Sequence, residues 1–233
     1  MSSVELVLGL GDDALVAAQR LSQWCARAPE LEEDVALANI ALDQLGAARL
    51  LLSYAGELEG AGRDEDALAY LRTDREYRNV LLVELAEPDF AVLVAKLLFL
   101  AAYQRSRYEA LAVGPDERLA GIAAKAATES AYHLDHGALW TVRLGDGTEL
   151  SHARAQRAVD ELWPYTHELF DEVPELRPAW LSTVDKVLAE ATLTRPGDGW
   201  APRGGRTGRH TEALSYLLAE MQVLHRAHPG ARW

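Results

Sequence analysis

Residues 31–52, LEEDVALANIALDQLGAARLLL, place apolar side chains on every face of the helix that their spacing implies. Such a helix is surrounded by other helices rather than laid on a surface, and its pattern carries it from about 31 to 57. On its N-terminal side, Pro29 closes a preceding segment, with Asp12 or Asp13 as the expected N-cap of a helix over 12–28. The connector is so short that the two helices must be antiparallel neighbours. On the other side, Gly60 and Gly62 lead into 64–85, which reads as one or two polar helices. Pro88 then opens a helix over 88–112, Gly114-Pro115 break it, and a long helix follows over 115–144, stopped by Gly145-Asp146-Gly147. Weaker helices are expected over 148–171, 178–193 and 211–227, with an Arg/Gly-rich loop at 194–210 before the last. Period-2 alternation is almost absent, so strands have little support. Two antiparallel helices, a helical crossover and two more helices make an all-α, ferritin-like four-helix bundle with added C-terminal helices. One domain over 1–233 accommodates it.

Composition narrows the function classes. With 49% apolar residues, the 233-residue chain has enough to bury for a folded core. A formal charge of −13 argues against nucleic acid, whose phosphates require clustered Lys and Arg. The exception is local: 194–210 holds Arg195, Arg203, Arg206 and Arg209 against Asp198 alone. The apolar run AVLVAKLLFLAAY, 91–103, is too short and too charged at Lys96 for a membrane span. The N-terminus has no basic, apolar leader pattern, and Cys25 as sole cysteine excludes a disulfide framework. A cytoplasmic protein without a membrane or nucleic-acid partner is expected.

Several polar residues stand in apolar helices. Asn39 and Asp43, four apart, share a face, and a buried Asp43 would need a partner. Lys96 needs one for the same reason, and an Asp43–Lys96 pair would satisfy both. Lys125, Glu129, His133 and His136 recur at four, four and three, along one face. They form either half of a transition-metal site or a polar stripe in which Glu129 contacts Lys125 and His133. In the first case the protein would be an autonomous metal-dependent oxidoreductase using Glu129, His133 and His136.

A ferritin-like di-iron centre requires a Glu from each of two helices and Glu-x-x-His from two others. Here Asp43 is followed by Gly46 where His belongs, Glu129 by Tyr132, and Gln104 stands mid-helix in the fourth segment. The sole literal Glu-x-x-His, Glu149 to His152, falls at a helix start. A complete site cannot be assembled. Nucleotide-binding glycine loops and a Gly-x-Ser-x-Gly elbow are absent as well. Cys25 is expected to be a small core residue, and the Trp residues core or interface.

The segments LGDDALVAAQRLSQW, LEEDVALANIALDQLGAARLLLSYAGELEG, DFAVLVAKLLFLAAYQ, AYHLDHGALWTVRLGDGT and GRHTEALSYLLAEMQVLHRAHPGARW, in this order, resemble the C-subunit (PaaC) family of bacterial ring-1,2-phenylacetyl-CoA epoxidases. The resemblance covers nearly the whole chain. It implies a ferritin-like bundle that pairs with, and stabilises, a homologous A subunit, which carries the di-iron centre and epoxidises phenylacetyl-CoA. This chain would then be the non-catalytic member, with no metal ligands of its own and only relics of a site at Asp43 and Glu129. Arg203, Arg206 and Arg209 have guanidinium forks suited to coenzyme A phosphates, and equally to carboxylates of this chain or of the partner.

Overall fold

A computed structural model describes residues 3–231, and among them there are nine α-helices and no strand. They are α1 Ser3–Ser22, α2 Leu31–Glu59, α3 Glu65–Tyr70, α4 Leu81–Glu84, α5 Phe90–Ala112, α6 Glu117–Gly145, α7 Glu149–Leu162, α8 Arg177–Glu190 and α9 Glu212–Ala227. Contacts along the chain gather into two compact units, Met1–Ala86 with Arg203–Trp233, and Glu87–Pro202. Each is described by itself.

The first unit is built on the α1–α2 hairpin. Val7, Leu10, Ala14, Leu15, Ala18 and Leu21 of α1 are buried, as are Leu37, Ile40, Ala47, Ala48 and Leu51 of α2. The helices approach closely at Gly11, where a Cβ would meet Leu52 at 2.8 Å. By length and composition α2 could cross a bilayer, a test that a core helix also passes. It ends at Gly60, whose left-handed conformation (φ 68°) suits a residue without Cβ.

Three expectations need correction here. The first helix begins at Ser3 rather than near 12 and ends at Ser22 rather than 28. Asp12 and Asp13 lie in its middle, buried, because their carboxylates bond a different segment rather than their own helix start. The expected helices over 64–85 are interrupted as well. Only α3, a 3-10 turn at Asp74–Glu76 and α4 are helical, and Tyr77 and Val80 are extended. Cys25, expected in the core, is exposed in the turn after α1.

The second unit is built on α5 and α6. Every residue of α5 from Ala91 to Gln104 is buried, as its predominantly apolar sequence requires. Gly137 of α6 allows the close approach, since a Cβ there would meet the Leu98 backbone at 3.1 Å. Asp89 caps α5 by accepting from Val92 N–H, and Asp116 caps α6 by accepting from Leu119 N–H. The region expected as one helix over 148–171 is α7 followed by a 3-10 stretch, Trp163–Phe170, with Pro164 near its start. There Phe99, Trp163, Phe170 and Trp180 form an aromatic cluster, and Trp180 Nε1–H donates to the Phe99 carbonyl at 2.9 Å. Trp163 and Trp180 are thus core residues, as expected, whereas Trp200 is exposed.

The α6 terminus is packed against the turn after α8. A Cβ at Gly145 would overlap the Ala191 carbonyl. Gly145→Val should therefore destabilise the protein by about 2–3 kcal/mol through overpacking, measured as a lower urea midpoint with an unchanged slope.

Candidate functional site

The densest set of buried charged groups lies in the first unit, and α1 organises it. Asp12 and Asp13 are essentially without solvent contact. Asp12 pairs with both terminal nitrogens of Arg72, one at 2.9 Å, and its Oδ2 also accepts from Arg78 N–H at 2.8 Å. Arg72 also donates to the Leu68 and Glu76 carbonyls and lies 4.2 Å over the Tyr77 ring. Asp13 accepts from Val80 N–H at 2.8 Å and from Arg206 at 2.6 and 3.1 Å. Arg206 further donates to the carbonyls of Gly9 and Arg78, at 2.9 and 2.7 Å.

A further anion completes the set. The fully buried Glu84 accepts from Asn79 Nδ2 at 2.8 Å, from Thr211 N–H at 2.6 Å and from His210 Nδ1 at 2.7 Å. Arg20 of α1 donates to the Glu84 carbonyl through Nε and Nη2, at 3.0 and 2.6 Å. Together these bonds tie α1, the extended 77–80 segment and the Arg/Gly loop to one another. Backbone N–H groups that no helix satisfies are met by side-chain carboxylates, which is the condition for burying irregular chain.

The electrostatics follow from burial. Desolvation pushes Asp13 up to about 6, against the pull of Arg206. For His210, burial alone would lower the imidazole, but the hydrogen bond and charge of Glu84 hold it above its ordinary value. Burial also raises the Tyr77 phenol.

Of the arginines in the loop, Arg206 is committed to Asp13, while Arg203 and Arg209 are exposed. Arg206 therefore acts on this chain's own acid. In the second unit, Arg195 pairs with Asp185 at 3.2 Å, and Asp198 accepts from Arg177 at 2.7 Å. That last bond holds Asp198 below the usual carboxylate range.

The other sequence candidates divide between the units. On α2, Asn39 is exposed and Asp43 half-buried, so Asp43 is less enclosed than its apolar surroundings in sequence imply. On α5, Lys96 is buried and pairs with Glu87, just before the helix. Nothing in the local pattern marks Glu87 as that partner. On α6, Glu129 binds Lys125 in an i,i+4 pair, His133 is buried, His136 is half-buried and Tyr132 is 72% exposed. His152, of the lone Glu-x-x-His, donates from Nδ1 to the Gly145 carbonyl at 2.7 Å and so closes the end of α6.

These residues do not fit a di-iron centre. Such a centre needs bridging carboxylates and imidazoles converging from four helices. Glu129 is occupied by an ammonium group, Tyr132 points to solvent where an imidazole is required, and Gly46 offers no donor. Among the described residues no three His, Cys, Asp or Glu side chains gather as a group able to hold a metal ion.

Over residues 1–233 the sequence matches the family of phenylacetic acid catabolic proteins that takes in PaaA and PaaC. The chain belongs to that family. It is 45% identical, over 97% of its own length and 97% of the relative's, to the C subunit of 1,2-phenylacetyl-CoA epoxidase from Escherichia coli K12. The all-α architecture agrees with the ferritin-like helical fold of the family.

A reading of Asp12 and Asp13 as helix caps hides the charged network. The sequence does carry a signal of it: the two adjacent acids, preceded by LVLGLG and followed by ALVAA, lie inside an apolar run and not before one.

The network makes two outcomes measurable. Arg206→Ala leaves the buried Asp13 without its cation and should cost about 3–5 kcal/mol, seen as a lower thermal midpoint and as faster tryptic cleavage at Arg203 and Arg209. The raised Asp13 value means that the folded protein holds a proton there between 3.8 and about 6. Its stabilising contribution is complete below that window and is lost as pH rises through about 6. Asp13→Asn should remove this slope from the pH dependence of the urea midpoint.

Proposed function

We propose that this chain is the C-type subunit of a phenylacetyl-CoA epoxidase and acts in phenylacetate breakdown as the non-catalytic partner of a homologous di-iron A subunit. The observation that carries the assignment to the C type is the full-length 45% identity to a protein of that name. Support for the non-catalytic role comes from the residues in the bundle helices. Where oxygen chemistry would need free carboxylates and imidazoles, Glu129 is neutralised by Lys125 and Tyr132 replaces a ligand. The carboxylates that are deeply buried serve cohesion: Asp12, Asp13 and Glu84 bond arginines, a histidine and backbone N–H groups.

A scaffold role follows from this economy of charge. A di-iron subunit must keep buried carboxylates available to metal, at a cost in desolvation. A homologue relieved of that task can pair its buried acids internally and present a stable helical surface to the active subunit. The iron, the oxygen activation and the epoxidation then belong to the A subunit, and phenylacetyl-CoA meets the assembled complex.

Co-expression with the homologous A subunit should give a stable complex on size exclusion, with iron stoichiometric in A and absent from this chain purified alone. Stoichiometric iron in the isolated chain, lost in His133→Ala, would establish the autonomous metal enzyme using Glu129, His133 and His136 instead.

A further inference from the structure

Leu31, Val35, Ala38, Leu42, Leu45 and Arg49 recur along α2 at alternating steps of four and three. This is the spacing of a coiled-coil seam. The seam lies on the face opposite Leu37, Ile40, Ala47 and Leu51, which are buried. It faces solvent: Leu31, Val35, Leu42 and Leu45 are 74, 56, 63 and 45% exposed. Scattered single apolar residues on a surface need no explanation, but a continuous stripe in heptad register does.

The ends of the stripe carry opposite charges. Glu30 and Glu32 stand at its N-terminal end and Arg49 at the other. Arg49 is 76% exposed and only loosely paired, at 3.5 Å, with Glu65. Laid antiparallel on a second α2 about a two-fold axis, the stripe is complementary to itself. Val35 then meets Leu45, Ala38 meets Leu42, and each Arg49 lies beside Glu30 and Glu32 of the other copy. A parallel pairing would set the acids against one another. Along one edge, Ala38 and Leu42 also border a groove of about 390 Å³ whose other wall includes Leu15, Leu21, Tyr70 and Met221. Such a groove provides holes for apolar knobs from a facing helix.

We propose that this face of α2 is the contact between two copies of the chain, a two-fold antiparallel pairing of the kind in which one patch serves both partners. A second copy supplies both the stripe and the reversed order of charge from residues already present. An unrelated helix would have to bring the same spacing and the opposite charge order. The pairing is a property of the chain alone, so it stands or falls separately from assembly with a catalytic partner.

Sedimentation equilibrium of the full chain across the micromolar range tests it. The wild type should be a dimer, and Leu42→Glu combined with Leu45→Glu should raise the dissociation constant by about 100-fold, with the helical circular dichroism spectrum retained. Arg49→Glu should weaken the dimer, and adding Glu30→Lys and Glu32→Lys to it should restore the pairing, which a merely misfolded variant would not do. A wild type that is monomeric throughout, or a dimer that survives the double Glu substitution, overturns the proposal. So does a monomer whose Leu42→Glu variant loses only its capture of the co-expressed A subunit, because the face would then belong to that subunit.

Discussion

Two adjacent carboxylates in the middle of an apolar helix are the constraint around which the first unit is arranged. Asp12 and Asp13 cannot be buried in α1 as bare charges, since an uncompensated ion inside a protein costs several kcal/mol. Each therefore takes one guanidinium and one backbone N–H: Arg72 and Arg78 N–H for Asp12, Arg206 and Val80 N–H for Asp13. The same bonds bring the extended 77–80 segment and the Arg/Gly loop against α1. Glu84, held by Asn79, His210 and Thr211, closes the arrangement from the far end of α4. Segments with few helical hydrogen bonds of their own thus become a fixed part of the unit.

The placement of charge also bears on function. Catalytic carboxylates are kept poised by neighbours that leave them reactive, whereas structural ones are saturated. In this chain Glu87 faces Lys96, Glu129 faces Lys125, and Asp13 accepts three hydrogen bonds. The aromatic cluster of the second unit, built from Phe99, Trp163, Phe170 and Trp180, contributes rigidity of the same kind. Its large, well-packed rings fix the 3-10 stretch after α7, where the local sequence has no strong helical preference past Pro164.

Long elements with strong apolar patterning are legible from the residues alone. The helices expected at 31–57, 88–112 and 115–144 occur as Leu31–Glu59, Phe90–Ala112 and Glu117–Gly145. Their boundaries are local events, set by glycines, by prolines and by Asp caps, and need no knowledge of the rest of the chain. The first helix departs from expectation for a definite reason. An Asp before an apolar run is a capping signal only if the residues ahead of it are not themselves helical, and Ser3 to Gly11 are. The 64–85 region holds less helix than its polar, helix-compatible residues suggest. Their pattern does not reveal that Arg78 and Val80 give their N–H groups to carboxylates 66 and 67 positions earlier, which draws the chain out straight.

What the sequence by itself determined is the all-α class and the principal helices, because each depends on residue type and short-range spacing. Tertiary structure decided which charges meet. Lys96 found Glu87, Arg206 was taken up by Asp13, and Cys25 was left outside. Pairing of buried ions is governed by distances between segments far apart in the chain, and no local pattern encodes those distances. For the same reason the apolar residues on every face of α2 suggest a helix enclosed on all sides, whereas the fold turns Leu31, Val35, Leu42 and Leu45 outward.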